Sequence, residues 1–575
     1  MEPIINRNWR DRSETITLSD VDLLSRELKV LPVTARLLSL RGVDTVAGAE
    51  IFLNGKLSLL TDPYLMLGMD KSVERLWLAI CAGEKLSIHG DYDVDGISAT
   101  TLLVEFFSSI GVAVDYHIPL RMKDGYGLSA EAIALAAAAG ATVIISVDCG
   151  VSAHKEALLA AENGIDLIIT DHHQPPDPLP HAFSIINPHQ SGCEFPDKTL
   201  SGVGVAFFLL VALRARLREE KFFTTANPEP DLRYALDLVA LGTIADVVPL
   251  QGLNRLLTQI GLQVMDGGRR VGLQALRRVA KVDDIDCSAV GFRLAPRLNA
   301  AGRIEDAALG VKLLLLDEAT LADEIAEQLD CFNLERQAIE RNTLKTALAQ
   351  VAELPEGQRS IILGSDLWHS GVIGIVASRL VERFYRPTIL FAFEGEVGKG
   401  SARSTRESNL YQNLQPCADL LLGFGGHAAA AGMTIHETAL TPFRHRFEEI
   451  LCAEQSERIL PTIDFDGELL LEEIDEKLIQ EIERLAPFGM GNPAPLFCLR
   501  DSNVMGVQVL GEKHLRFSVR QGGYSLPCIA FGMAERQEEL SGQVDFLVMP
   551  GFNLWKGRRT IQLRIRDWKK SESTV

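Results

Sequence analysis

Short, almost wholly apolar runs recur at regular intervals between residues 85 and 170, and this rhythm dictates the kind of sheet the chain can build. Leu86–His89, Val112–Ile118, Thr142–Val147 and Asp166–Thr170 read as strands, with Ile97–Ile110, Ser129–Ala139 and Ala153–Asn163 as the helices between them. Strands apolar on both faces, separated by helices of roughly ten to fifteen residues, belong in a parallel sheet covered on both sides.

Acids stand where such a sheet builds sites. The first strand runs into His89-Gly-Asp91-Tyr-Asp93-Val-Asp95-Gly96, Asp148 follows Val143–Val147, and Asp171-His172-His173 follows Leu167–Thr170. Ligands of open α/β sheets bind outside the carboxyl ends of the strands, so three strand ends deliver acids and imidazoles to one edge. So many carboxylates at close quarters repel one another and resist burial unless a cation lies among them. Oxygen donors with an occasional nitrogen suit Mg²⁺ or Mn²⁺ better than zinc. Asp246, the sole charge in Leu238–Leu250, extends the set. Plainer readings compete: an acidic surface turn, or helix N-caps for the individual acids. An EF-hand over Asp91, Asp93, Asp95 and Gly96 fails, because Leu102 stands where a bidentate Glu is needed and a strand leads in.

A chain of 575 residues exceeds a single core and implies about three or four domains. Residues 1–75 read as a helical arm packing across the next domain, and 76–316 as the parallel-sheet domain. Asp317–Leu354 contains neither Gly nor Pro and reads as a connecting helix over 317–354. A second α/β domain is expected over 355–456, with strands at Ser360–Leu363 and Thr388–Phe393, a helix at Val372–Phe384 and a Gly-rich tract near Gly398–Ser404. Over 457–575, short alternating segments at Leu515–Val519, Phe546–Met549 and Thr560–Ile565 suggest a small β-barrel. Pro487-Phe-Gly-Met-Gly-Asn-Pro493 reads as the turn into it. The stretch Leu554–Lys570 is basic with Trp555 and Trp568 near its ends. It fits a strand pair lining a single-strand groove, or a solvated edge protected by charge.

A net charge of −20 argues against coating duplex DNA by bulk electrostatics, but leaves room for a local basic groove. The longest uncharged runs, Ala132–Val147 and Thr199–Leu213, fall short of the roughly 20 residues that span a bilayer. Met1–Asp20 is polar and is not a signal peptide. Nine scattered cysteines without a Cys-x-x-Cys pair suggest reduced thiols in a cytosol, with Cys149 a small buried residue.

His89-x₃-Asp93-x-Asp95, Asp148, Asp171-His172-His173 and Asp246 together resemble the four motifs of the DHH phosphoesterase superfamily. Gly425-Gly-His427-Ala-Ala-Ala-Ala-Gly432 resembles the Gly-Gly-His tract of its companion DHHA1 domain. With Trp368-His-Ser-Gly-Val-Ile-Gly374 and Arg297-Leu-Asn-Ala-Ala-Gly-Arg303, nearly the whole chain resembles the RecJ-type single-strand-specific exonucleases. The fold so implied is α/β: a DHH parallel-sheet domain and a DHHA1 α/β domain joined by a long helix, plus a C-terminal OB-like β-barrel. The activity implied is processive 5′-to-3′ degradation of single-stranded DNA to nucleoside 5′-monophosphates, in DNA repair and recombination.

The resemblance also implies two Mg²⁺ or Mn²⁺ ions, about 4 Å apart, that activate the attacking water. His89, Asp93 and Asp148 would hold one. Asp95, Asp148, His172 and Asp246 would hold the other, with Asp148 bridging. Asp91 would be an additional acid beside the first ion or a hydrogen-bond partner of its ligands, and His173 would contact the scissile phosphate. Arg121, Arg297, Arg303, Ser401, Arg403, Gly425, Gly426 and His427 are candidates for holding the strand's phosphates. His369 would hold the strand or cap the helix that follows it. A cytoplasmic monomer, supplied with ends by a helicase and a single-strand-binding protein, is the family's pattern. A phosphoesterase for short oligonucleotides or cyclic dinucleotides, and a non-catalytic scaffold, are the rival functions.

Overall fold

A computed structural model describes residues 7–120, 125–454, 460–555 and 557–571. Its first sheet is parallel throughout. The strand order is Val114–His117, Lys85–His89, Ala141–Val147, Asp166–Thr170 and Ser184–Ile186. Ile88, Val143, Ile145 and Ile168 point to one face, against the helices Val94–Ser109 and Gly202–Glu219. Ile144, Leu167 and Ile169 point to the other, against Ala130–Ala138 and His154–Glu162. This alternation explains why the strands read as continuous apolar runs. Register aligns His89 with His117 and Ser146, and Val147 with Thr170, so the carboxyl ends finish level. The fifth strand, Ser184–Ile186, has only three residues and was not anticipated by the periodicity.

A 34-residue helix, Ala319–Ala352, leaves this domain and runs about 50 Å. The second sheet has the order Leu421–Gly426, Ala430–His436, Val397–Arg403, Thr388–Glu394 and Ile361–Ser365. Its last two strands are parallel and the rest antiparallel. The Gly-rich tract forms a strand, Val397–Arg403. Helix Ile373–Phe384 covers one face of this sheet.

Five strands close the barrel: Phe497–Leu510, His514–Gln521, Tyr524–Ala530, Arg558–Lys570 and Gln543–Trp555. The third and fifth in sequence pair in parallel, as an OB-like topology requires. Trp568 is buried in the barrel interior and cannot stack on a substrate base. The arm departs from expectation. Helices Leu18–Leu28, Pro32–Ser39 and Val46–Asn54 share one core with the barrel, through Leu24, Leu37, Leu38, Phe497, Phe546 and Trp568. Asn8–Asp11 pairs in parallel with Thr462–Phe465. Helix Met69–Ala82 instead packs into the first domain through Met69, Val73, Leu76 and Ala79. Among the described residues no helix is long and apolar enough to cross a membrane.

Candidate active site

The strand ends gather the acids by simple local devices. Lys85–His89 ends and helix Val94–Ser109 begins within five residues, so Asp93 becomes the N-cap. Its Oδ1 accepts the N–H groups of Asp95 (2.9 Å) and Gly96 (3.1 Å). The N-cap reading of that acid thus holds, and capping fixes its carboxylate beside the cluster. Asp95 is buried and accepts the Gly202 and Val203 N–H groups at 2.7 and 2.9 Å. Its carboxylate is crowded against Gly242, where a Cβ would stand 2.5 Å from Oδ1. Asp148 adopts φ +60° at the end of the third strand, and Gly202 leaves it room, since a Cβ there would lie 2.5 Å from its carboxylate. Asp246 caps the C-terminus of helix Leu236–Ala245, so this acid comes from a helix end rather than a strand end.

His172 Nε2 lies 3.1 Å from Asp148 Oδ1 and 3.6 Å from Asp246 Oδ2. Three groups of donor atoms each fit within 4.8 Å: Asp91, Asp93 and Asp148; Asp95, His172 and Asp246; and Asp148, His172 and His173. Asp148 belongs to two of them. His89 falls outside all three, with Nε2 3.1 Å from Ser87 Oγ, while Asp91 stands in the group where His89 was expected.

The electrostatics are those of a site built for cations. Burial, then mutual repulsion, pushes the Asp95 and Asp148 carboxyls well above the usual range. Burial and Asp93 bring Asp246 up to about 7. Burial lowers His89 to about 3 and His172 to about 4, which leaves both rings neutral, the form that ligates metals. His89 Nδ1, Asp148 Oδ1 and His172 Nε2 are buried without a hydrogen-bond partner. Buried polar atoms of this kind need a partner, and a divalent cation meets these donors' chemistry. The residues present fit the implied metal.

Sequence reasoning gave no specific role to two contributors, Asp171 of the third strand-end motif and Tyr126. Asp171 is buried, and its Oδ1 accepts the N–H groups of His172 and His173 and bonds His173 Nδ1 at 2.7 Å. Burial alone would lower the His173 pKa, but this bond together with the negative charges of Asp171, Asp246 and Asp93 outweighs it and carries the ring up to about 9. The Tyr126 hydroxyl donates to Asp148 O (3.1 Å) and lies 3.4 Å from His173 Nε2. Its only trace in the sequence is its place in the loop after a strand.

His427, from the turn between strands Leu421–Gly426 and Ala430–His436 of the second sheet, lines one cavity with Tyr126, Ser152 and His173. Gly426 has φ +146°, and a Cβ there would meet Ala430 O at 2.5 Å, so only glycine makes this turn. Arg303 donates to Gly371 O (2.7 Å), beside His369, whose Nδ1 accepts the Gly371 N–H. Arg403 donates to Ser401 Oγ at 3.1 Å, and both lie against Gly374. Arg303, His369, Ser401 and Arg403 thus gather at the start of helix Ile373–Phe384. Arg297 is drawn elsewhere, into an ion pair with Asp330 on the long helix. Arg121 lies outside the described residues.

Comparison with known proteins places these domains. The DHH family's N-terminal domain matches residues 85–243, the DHHA1 domain 356–453 and the RecJ OB domain 465–567. The single-stranded-DNA-specific exonuclease RecJ of Dickeya dadantii is 40% identical over 558 residues, 92% of this chain and 94% of that protein. This chain belongs to the RecJ family. The Bacillus subtilis RecJ is 38% identical, over 96% of this chain and 70% of its own length. The crystal structure of RecJ from Thermus thermophilus in complex with Mn²⁺ superposes with a TM-score of 0.84 at 31% identity. It covers 98% of this chain and 80% of that one. The DHH, DHHA1 and OB-like architecture expected from the sequence is the RecJ architecture.

Proposed function

We propose that this chain is a divalent-metal-dependent exonuclease that degrades single-stranded DNA from its 5′ end to nucleoside 5′-monophosphates. The observation that carries the reading is the convergence of Asp91, Asp93, Asp95, Asp148, His172 and Asp246 around Asp148. The named activity of the relatives and the Mn²⁺ and Mg²⁺ in the Thermus structures support it. Asp91, Asp93 and Asp148 would hold one ion, with the His89 ring close by. Asp95, His172 and Asp246 would hold the other, with Asp148 shared. When bound, two such ions acidify water and neutralise charge on the attacking and leaving oxygens.

The protein's own groups do the rest. Water adds to the phosphorus and the bond to the 3′ oxygen breaks. The released nucleotide keeps its 5′ phosphate and the shortened strand begins with a new one. His173, oriented by Asp171, presents Nε2 to the cavity as a donor to the scissile phosphate. The Gly425–His427 turn, Ser401, Arg403, Arg303 and His369 offer backbone and side-chain donors to the strand.

A passage between the two α/β domains that admits one strand excludes a duplex without reading any base. Capping the 5′ end with a bulky adduct is therefore expected to slow digestion at least about a hundredfold, as displaced near-attack geometry does. Digestion of the capped strand at the uncapped rate would reject threading. Unwound ends of the kind a helicase and a single-strand-binding protein supply in repair and recombination are the substrates implied, for a cytoplasmic monomer.

The barrel offers a stacking face different from the one expected. Arg559 is paired with Glu483 and lies over Phe552, and the Trp555 side chain is outside those described. Exposed Arg516 and Arg564 flank Ile529 on three adjacent strands, with Arg564 over Phe531 and the His514 ring 5.3 Å from it. A basic row beside an exposed aromatic suits unspecific single-strand stacking. Phe531→Ala is expected to weaken strand binding about tenfold with turnover at saturation unchanged. Unchanged affinity in a filter-binding titration would remove this face from the path.

A further inference from the structure

The loop that follows Asp246 leads back into the catalytic domain at helix Gly252–Asp266, but on its way it meets a distant part of the chain. It runs directly onto the Pro487–Pro493 turn. We infer that this turn is a positioning clamp which aims Asp246 and so sets metal affinity. The inference rests on the metal reading above and adds residues to it.

Asp246 is the acid whose aim depends most on its main chain. Backbone N–H groups hold Asp93 and Asp95, and Asp148 is wedged against Gly202. Among the described residues no hydrogen bond reaches the Asp246 carboxylate, whose nearest ion-pair contact is His172 at 3.6 Å. The next residue, Val247, sits at φ +61° and is 58% exposed. A β-branched residue in the left-handed region is strained, and such strain persists only where its surroundings enforce it.

The turn supplies the enforcement. Leu250 N–H donates to Met490 O at 2.7 Å, and Gln251 Nε2 donates to Gly491 O at 2.9 Å. A Cβ at Gly491 would stand 3.0 Å from Pro249 Cβ, and one at Gly489 2.8 Å from Leu250 Cδ1. Both glycines are thus explained by close approach of the loop. The turn is itself rigid. Buried Asn492 donates to Leu485 O and Pro487 O and accepts from Arg41 Nε at 2.6 Å. Arg255, on the helix that begins just after Gln251, donates to Leu485 O at 2.8 Å. The loop between Asp246 and this helix is therefore pinned along its far side by the C-terminal part of the chain.

The test uses the full-length protein, stripped with EDTA and titrated with MnCl₂ by calorimetry and by thermal melting. Gly491→Ala, which pushes on Pro249 and strains φ +71°, is expected to raise the half-saturating Mn²⁺ concentration about tenfold, as loss of a ligand's support does. Gln251→Ala, a milder surface change, should raise it about threefold by removing one hydrogen bond. Affinity for a single strand in EDTA should stay unchanged, and cleavage at saturating Mn²⁺ should recover to within about twofold. Unaltered Mn²⁺ half-saturation in Gln251→Ala and in any folded Gly491→Ala protein would overturn the clamp while leaving the metal site intact. Weaker strand binding with unaltered Mn²⁺ uptake would also overturn it, because the turn would then only seat the barrel. Absence of Mn²⁺ uptake by the unaltered protein would instead defeat the metal reading itself.

Discussion

Asp148→Ala is expected to reduce turnover by about three orders of magnitude or more, equivalent to at least about 4 kcal/mol of lost transition-state stabilisation. Affinity for a single strand should change little. Asp148 belongs to the donor group proposed for one ion, and its Oδ1 lies 3.1 Å from His172 Nε2 in the group proposed for the other, so its loss strikes both positions together. The surfaces proposed to hold the strand, on the second sheet and the barrel, lie on other elements and are untouched. Single-turnover hydrolysis of an end-labelled oligonucleotide, paired with a binding titration in EDTA, separates the two effects. Turnover near that of the unaltered protein would show that Asp148 bridges nothing.

The second large effect concerns the metal-free protein. EDTA is expected to abolish cleavage and to lower the melting temperature, and Mn²⁺ to restore both. At a free ion concentration a hundred times its dissociation constant, linkage gives about 2.7 kcal/mol per site. For a chain of this size that is several degrees in melting temperature. The sign follows from the cluster. Asp95, Asp148 and Asp246 are buried near one another with their carboxyls pushed upward, so their charged forms destabilise the fold until a cation neutralises them. Asp148→Asn keeps the shape, tolerates φ +60° and removes one charge, so its Mn²⁺-induced shift should shrink markedly. A melting temperature indifferent to Mn²⁺ in the unaltered protein would contradict a metal-filled cluster.

Much of the catalytic half was legible because its elements are local. Each apolar run became a strand with ends within about two residues of expectation, since strands buried on both faces leave nothing polar to blur them. The acids could be ranked because each stood at a strand end or alone in apolar sequence. What escaped depends on distant partners. Asp171 looked like a ligand motif, but its carboxylate is taken up by His173 and by the Val151 N–H, twenty residues earlier. Arg297 reads like a phosphate anchor until the long helix brings Asp330 to it. Trp568 reads like a stacking platform until the barrel closes around it. Asp91 joins the donor groups and His89 does not, a membership that side-chain direction decides and spacing along the chain does not.

The pairing of Asn8–Asp11 with Thr462–Phe465, and the shared core of arm and barrel, have a consequence for biosynthesis. The arm is synthesised ahead of the barrel and must wait for it before its apolar face finds cover. The catalytic sheet, whose contacts are nearer in sequence, can close meanwhile. Docking of arm and barrel then follows closure of that sheet, and a nascent chain stalled before the barrel would present bare Leu24, Leu37 and Leu38 to chaperones.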